Sequence, residues 1–570
     1  MNELSPSPAD VAATFCAVLV DEWIRSGVSV ACVAPGSRST PFALALTSRP
    51  ELRVEVFHDE RSAAFAALGV GAVSGTPAVL LCTSGTAAAH FHAAVIEADL
   101  SGVPLIVVTA DRPPELVGVG APQTIDQTKL YGGSVRWFNA PGVAEVSQLQ
   151  HWRSLGSRAA AEALGFGGRP GPVHLNLAFR EPLVGTPLAL PDGRANDAPW
   201  HSIVGGHTVS TQPLTDALID AWEGKRGVIL AGRGAGDPST VLRLGDLLGW
   251  PVLADHRSGC CVAERSIRHF DSLLRNVSFA RENRPEVVLR IGEAVASKVT
   301  AQWVAASGAI IHAVTQRGKW IDPDHQVGAM VVDTSVLLDV VHALSGRLQQ
   351  PARFSDEWER ADIAAAATIA ETLALEPVLT DPAVARATVQ CVPANGALVV
   401  SSSMPVRDVE WFAEPRADIA VVSNRGANGI DGVIATAIGV AATGRATVCL
   451  IGDVAFLHDS SSLTALARRA IDLTIVVTDN DGGAIFSFLP QATSLGTERY
   501  EQLFGTPHGT DLAMLCAGHG IPAAVVHEAS DISYGPGVRV LIAKTERQHN
   551  VGVHDRINAA VSAALDTLGS

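Results

Sequence analysis

Apolar positions along this chain follow two alternating patterns. Short continuous runs, at residues 78–82, 105–109, 227–231, 397–400 and 473–477, are separated by longer stretches where apolar residues return every third or fourth position. The runs predict buried strands and the periodic stretches amphipathic helices. Strands apolar on both faces and divided by helices predict parallel sheets covered on both sides. The first block carries helices at 11–26 and 62–73 and strands at 28–34, 53–57, 78–82, 105–109 and 173–177. The second carries strands at 227–231, 251–254, 286–291 and 309–314, and a helix over 355–375 follows. The third carries strands at 397–400, 419–422, 447–452, 473–477 and 538–543. The expected fold class is therefore α/β: three domains, each a mainly parallel sheet flanked by helices. Their expected bounds are 1–185, 213–350 and 380–570, with a Pro/Gly-rich linker at 186–212 and a helical connector at 351–379. Residues 201–212 and 484–535 carry little pattern.

The stretch 447–483 predicts one strand–helix–strand unit, its helix turning Leu463, Leu466, Ala467 and Ala470 inward behind cap candidates Asp459 and Ser460 to Ser462. Parallel strands joined this way lie side by side, so Asp453 and Asn480, 27 positions apart, both fall at strand carboxyl ends. With the Gly482 carbonyl they offer hard oxygen ligands of the kind Mg²⁺ takes alongside water and phosphate. The competing reading is a plain βαβ unit with capping Asp and Asn.

Charge and composition narrow the partners. The 570 residues are 47% hydrophobic and 18% charged, with a net charge of −16. That field disfavours nucleic acid and anionic membrane, so an anionic ligand needs a local cluster of basic side chains. Eight scattered cysteines include no CxxC pair, as expected of core thiols in a reducing compartment. The N-terminus lacks the pattern of a signal peptide, and no long uncharged apolar stretch predicts a membrane span; a cytoplasmic location is expected.

The strand ends concentrate the candidate chemistry. The first block presents Ser37-Arg38, Glu60, Ser84-Gly85-Thr86 and Asp111-Arg112; the third presents Ser401 to Met404 with Arg407, then Asn424-Arg425-Gly426, Asp453 and Asn480. An arginine fork matches a carboxylate with paired donors. Arg38, Arg112, Arg407 and Arg425, each just past a strand on an acidic chain, point to substrates with several carboxylates, although a structural ion pair explains any one alone. Glu60 reads equally as a helix cap or partner of Arg61. His90 and His92 read as packing or surface residues, and Gly232-x-Gly234-x-Gly236 as a tight turn rather than a nucleotide loop. GxSxG, HExxH and P-loop patterns are absent.

Taken together, APGSRSTPFALAL, FHDERSAAFAALG, TSGTAAA, VTADRPPEL, SSSMPVRD, NRGANGIDG, IGDVAFLHD and DNDGGAIFSFLP resemble the 2-succinyl-5-enolpyruvyl-6-hydroxy-3-cyclohexene-1-carboxylate (SEPHCHC) synthase family. These are thiamine-diphosphate (ThDP) enzymes of menaquinone biosynthesis, and the segments span the first and third blocks. The resemblance implies a pyrimidine-binding domain, a central domain and a diphosphate-binding domain, in a homodimer or homotetramer with active sites between subunits. It implies transferase chemistry: ThDP-dependent decarboxylation of 2-oxoglutarate and addition of the succinyl unit to isochorismate, with CO₂ but not pyruvate released. Glu60 would meet the aminopyrimidine, Ile430 would prop the coenzyme, and Asp453, Asn480 and the Gly482 carbonyl would hold Mg²⁺ (or Mn²⁺) on its diphosphate. Ser84, Gly85, Thr86, Ser401, Ser403, Met404, Gly452, Val454 and Ile485 complete the implied cofactor contacts. Arg407 and Arg425 would serve 2-oxoglutarate, as catalytic and substrate-binding groups. Ser37, Arg38, Arg112 and Gln123 would serve isochorismate, Lys298 would reach in from the central domain, and Ile485, Phe486 and Leu489 would wall off water. Val454 stands where ThDP enzymes usually carry glycine, and Val299 where this family is usually basic. The rivals are an acetohydroxyacid-synthase-like enzyme or simple 2-oxoacid decarboxylase, and an inactive ThDP fold kept as a scaffold.

Overall fold

The computed structural model describes residues 6–202, 212–316, 318–346 and 354–568. Part of the expected linker (203–211) and the start of the expected connector (351–353) therefore lie outside the described residues. The chain forms two compact units, Met1–Gly206 with Asn424–Thr447 and Leu457–Leu473, and His207–Ser423 with Val448–Phe456 and Thr474–Ser570.

The first unit holds a six-stranded sheet of β1 (Val30–Val33), β2 (Arg53–Val56), β3 (Ala78–Cys82), β4 (Leu105–Asp111), β5 (Trp137–Asn139) and β6 (Pro172–Ala178). The order is β2-β1-β3-β4-β6-β5, and every neighbouring pair runs parallel. All residues of β3 and β4 are buried, as strands covered on both faces must be. The first helix, Pro8–Arg25, starts with Pro at its first turn and the Ser7 hydroxyl accepting from the Asp10 N–H. Its inner side seats Phe15 edge-on to Trp152, 5.2 Å between centroids, and Trp23 donates its indole N–H to the Gly156 carbonyl.

The Glu60–Ser74 helix is rich in Ala and Gly because it meets the Val433–Ala442 helix backbone to backbone. A Cβ on Gly69 would lie 2.1 Å from the Thr436 carbonyl oxygen, and one on Gly439 would lie 1.9 Å from that of Ala66. Small residues allow the close approach that a larger side chain forbids.

The second unit contains two sheets. Strands β7 (Gly227–Ala231), β8 (Val252–Ala254), β9 (Val287–Ile291), β10 (Ile310–Thr315) and β11 (Val327–Val332) stack in the order β11-β10-β9-β7-β8, all parallel. Strands β12 (Ala397–Val400), β13 (Ala420–Val422), β14 (Thr447–Gly452), β15 (Leu473–Asp479), β16 (Ala523–Val526) and β17 (Val538–Lys544) stack in the order β13-β12-β14-β15-β17-β16. The C-terminal helix Arg547–Leu568 buries Val553, Ile557 and Val561 in one cluster with Phe270, Leu273, Trp358 and Ile369. All eight cysteines are free and seven are buried. Among the described residues, no helix is long and apolar enough to cross a membrane.

The expected helix through 459–470 does not form. A short helix covers Asp453–His458, and 3₁₀ turns at Ser460–Leu463 and Leu466–Arg468 follow, with Ala465 between them at φ +60°. Leu463 and Leu466 are buried, but Ala467 and Ala470 face outward. Tertiary bonds override the local periodicity here. The fully buried Asp459 carboxylate accepts from the Ala435 N–H and the Ser462 hydroxyl, while Arg469 pairs with Glu55 and stacks on Phe57.

Candidate active site

In the first unit, most of the expected residues lie just past the carboxyl ends of its strands. Glu60 opens its helix behind Asp59, whose side chain accepts from the Arg61 N–H; Asp59, not Glu60, is the cap. Arg61 points instead to His458, donating to its carbonyl at 2.9 Å. The charge of Glu60 bears on Cys82 at the end of β3, a thiol that burial first pushes far up.

The Ser84-Gly85 turn and Gln123 are brought together. The Ser84 hydroxyl donates to the Gln123 carbonyl at 3.0 Å, and the Gln123 amide donates back to the Ser84 carbonyl at 3.2 Å. Gly85 (φ +87°) leaves only 3.0 Å between a would-be Cβ and the Gln123 side chain. Arg112 joins this group by donating to the Pro122 carbonyl, while Thr86, first in a short helix, and Ser37, first in a 3₁₀ turn, are exposed. Arg38 is buried and already engaged, with Phe179 O at 2.9 Å and Glu181 at 3.0 Å. His90 is exposed, and His92 packs edge-on against Tyr131.

The Arg425 loop closes the same unit. Two consecutive N–H groups, of Gly426 and Ala427, each donate at 2.7 Å to the carboxylate of Glu97. Gly432 ends the loop at φ +66°, and a Cβ there would lie 1.9 Å from the Phe65 ring. Ile430 is half-buried between these two anchors.

In the second unit, Asp453 and Asn480 follow the neighbouring strands β14 and β15, and the fold does bring them together. One Asp453 oxygen accepts from the Asn480 and Gly482 N–H groups, both at 3.0 Å, and the other from the Val454 N–H at 2.7 Å. Burial raises the Asp453 carboxyl above the usual range, against the pull of the Gly482 and Val454 N–H groups. Asn480 turns its amide nitrogen toward Asp381 at 3.4 Å and leaves its carbonyl oxygen buried with no partner. Gly482 sits at φ +140°, where a Cβ would lie 1.9 Å from the Gly505 carbonyl oxygen. A buried carboxylate, an orphaned amide oxygen and a glycine-only turn fit a hard divalent cation on a diphosphate.

Arg407 lies one turn into the Met404–Phe412 helix, donating to the Ser403 carbonyl at 2.6 Å. Burial lowers its pKa, against the opposing fields of Glu410 and Asp408. Ser403 starts that helix from φ +74°, a left-handed conformation unusual outside glycine. Met404 and Ser401 are buried, and the Ser401 hydroxyl has no partner. Lys298 is exposed at the first position of its helix, whose preceding Ala296 N–H is held by Glu410 at 2.8 Å. Ile485 and Phe486 lie in the 3₁₀ turn Ala484–Phe488, with Phe486 against Phe504, and Leu489 is 38% exposed. The Gly232 turn packs on the Glu293 carbonyl, 1.8 Å from a would-be Cβ.

Several participants carried no sequence signal. His508, from the patternless 484–535 stretch, places Nε2 3.3 Å from the Asp453 carboxylate, and its backbone N–H donates to Asp481. Asp453, Asp479 and His508 each bring a ligand atom within 4.8 Å of the others. Asp381 accepts from Thr545 at 2.6 Å, and burial, followed by the nearby Asp408, lifts its carboxyl to about 7. Glu97, Gln127 and Glu410 accept from backbone N–H groups, Gln127 from that of Gly85 at 2.9 Å, and no spacing rule reports such bonds.

Known proteins resemble the chain throughout this arrangement. Residues 13–130 match the model of the thiamine pyrophosphate enzyme N-terminal TPP binding domain, 191–400 the middle domain and 401–535 the C-terminal TPP binding domain. The 4-hydroxybenzoylformate decarboxylase of Rhodococcus jostii RHA1, described as thiamine diphosphate-dependent, shares the fold with a TM-score of 0.71 at 15% identity, over 94% of this chain and 99% of that one. The SEPHCHC synthase of Saccharopolyspora erythraea is 40% identical, over 96% of this chain and 98% of the relative. That of Myxococcus xanthus is 39% identical, over 98% and 99%, and that of Chloroflexus aurantiacus 38% identical, over 97% of each. At this identity along nearly the whole length, the chain belongs to the SEPHCHC synthase family of thiamine-diphosphate-dependent enzymes.

Proposed function

We propose that this chain is a transferase of menaquinone biosynthesis, condensing 2-oxoglutarate with isochorismate to SEPHCHC and releasing CO₂ but not pyruvate. The observation that carries this reading is the end-to-end relation to synthases of that name, on a chain that carries Glu60, Asp453, Asn480 and four strand-end arginines. When bound, ThDP supplies the nucleophilic carbon and the electron sink. Asp453, Asn480 and the Gly482 carbonyl would hold Mg²⁺ or Mn²⁺ on its diphosphate, with Gly452 and Val454 beside them. Glu60 would hold a proton at the aminopyrimidine ring nitrogen, and Ser84, Gly85 and Thr86 would contact the coenzyme. Ile430 supports the coenzyme from the Arg425 loop, while Ser401, Ser403, Met404 and Ile485 shape its surroundings.

Both substrates are dianions, which gives the arginines their purpose on a chain of net charge −16. Arg407 and Arg425 bind the carboxylates of 2-oxoglutarate. Ser37, Arg38, Arg112 and Gln123 serve isochorismate, and Lys298 supplies a cation from the central domain. Phe486 and Leu489 exclude water from the reacting carbon. The working form is a homodimer or homotetramer with active sites between subunits.

Incubation with ThDP, Mg²⁺, 2-oxoglutarate and isochorismate should consume isochorismate absorbance in step with CO₂ release. Faster turnover of pyruvate, or a yellow flavin in the purified protein, would assign the chain to the acetohydroxyacid-synthase type instead. Arg407→Ala should lower kcat/KM for 2-oxoglutarate by roughly 10- to 100-fold, the loss of a hydrogen-bonded charge pair. Unchanged 2-oxoglutarate kinetics would remove Arg407 from the site.

A further inference from the structure

The Arg425 loop is gripped by a side chain that no sequence pattern singled out. Glu97 lies on the inner side of the His92–Ser101 helix and is only 3% exposed. One of its oxygens accepts from the Gly426 N–H at 2.7 Å and the Ser101 hydroxyl at 2.6 Å, and the other from the Ala427 N–H at 2.7 Å. A buried carboxylate is tolerated only when donors satisfy it, and these three occupy three of its roughly four acceptor sites. The loop has been shaped to the grip: a Cβ on Gly426 would lie 2.7 Å from the Ser101 hydroxyl and 2.9 Å from both Glu97 Oε1 and Leu100 Cβ. The two bonded N–H groups immediately follow Arg425, so they set the direction in which its side chain leaves the backbone.

We propose that Glu97 is the positioning residue for Arg425, holding the loop so that the guanidinium meets a carboxylate of 2-oxoglutarate. The proposal rests on the substrate role assigned to Arg425 above. It adds a group from a different strand-end helix, with no substrate contact of its own, as a determinant of 2-oxoglutarate binding. A neutral amide cannot replace this carboxylate. A glutamine offers one acceptor oxygen, and its NH₂ would face a peptide N–H that also needs an acceptor.

Glu97→Gln and Gly426→Ala loosen the same grip from its two sides. Both should raise the KM for 2-oxoglutarate about tenfold, the loss of one charge-assisted hydrogen bond. The isochorismate KM and the ThDP Kd should stay within about twofold on the same scale. Amide hydrogen exchange should show Gly426 and Ala427 losing protection while the 92–101 helix keeps its own. Arg425→Ala, measured alongside, separates the two ideas. If it leaves the 2-oxoglutarate KM unchanged, the substrate role of Arg425 fails and the proposal with it. If it raises that KM but neither grip variant does, Glu97 alone is refuted. Equal losses in both KM values and in ThDP affinity would show a merely structural bond and overturn the proposal. Should Glu97→Gln not fold, Gly426→Ala decides by the same readings.

Discussion

Asp453→Asn is expected to leave a folded protein that no longer gains stability from cofactor and metal. The parent chain should melt higher when Mg²⁺ and ThDP are added, because a ligand at 100 times its Kd stabilises the native state by about 2.7 kcal/mol. Asn480 and Gly482 direct their N–H groups to one Asp453 oxygen, and the asparagine carbonyl can still accept from them, while the Val454 N–H loses its acceptor on the other oxygen at a cost of about 1 kcal/mol. The native carboxylate is itself buried at a cost, as its raised pKa shows, so neutralising it removes a desolvation penalty from the empty protein. The unliganded midpoint should therefore move little. Metal affinity should fall by at least about 100-fold, since losing groups that merely orient a ligand already costs 10- to 100-fold. Differential scanning fluorimetry with and without Mn²⁺ and ThDP reads both quantities. A cofactor-induced shift equal to the parent's would remove Asp453 from the metal site.

The residues of that candidate site differ in how legible they are. Asp453, Asn480 and Gly482 could be read from the sequence because each follows an apolar run, and a strand end is the one place where chain order predicts location. His508 reaches the same carboxylate from a loop whose route depends on Gly505 and Asp481, two non-local contacts without periodicity. The fold behaves alike. Three strands escaped the pattern, β5, β11 and β16, and each is the edge of its sheet. Edge strands are covered on fewer sides, so their apolar residues are fewer and partly exposed, as the half-buried Trp137–Asn139 shows. The helix wrongly expected over 459–470 fails for the complementary reason. Its periodic leucines are indeed buried, but Asp459 and Arg469 are held by Ala435, Ser462 and Glu55, and those bonds dictate the backbone.

Glu60→Gln should separate binding from proton transfer. Glu60 occupies the first turn of the Glu60–Ser74 helix, where a negative charge is favoured by the helix dipole by about 0.3–1 kcal/mol. The cap itself comes from Asp59, so the helix start survives the change. Glutamine has the same length and can keep a hydrogen bond to a ring nitrogen, which should hold the ThDP Kd within about tenfold, the worth of a single hydrogen bond. What it cannot do is carry the negative charge that stabilises a protonated ring nitrogen, or exchange a proton there. A positioned acid–base group contributes roughly 10²- to 10⁴-fold, so hydrogen exchange at C2 of bound ThDP and 2-oxoglutarate turnover should both fall by that factor. Exchange followed by NMR in deuterated solvent isolates this step from substrate binding, where Arg407 and Arg425 would act. Near-parental exchange with parental affinity would refute the role of Glu60. Slow exchange with unchanged affinity would leave a carboxylate that works on the coenzyme's proton while contributing little to holding it. The opposite pattern is expected at Asp453, where binding itself is lost, so the two substitutions separate a group that anchors the coenzyme from a group that reacts.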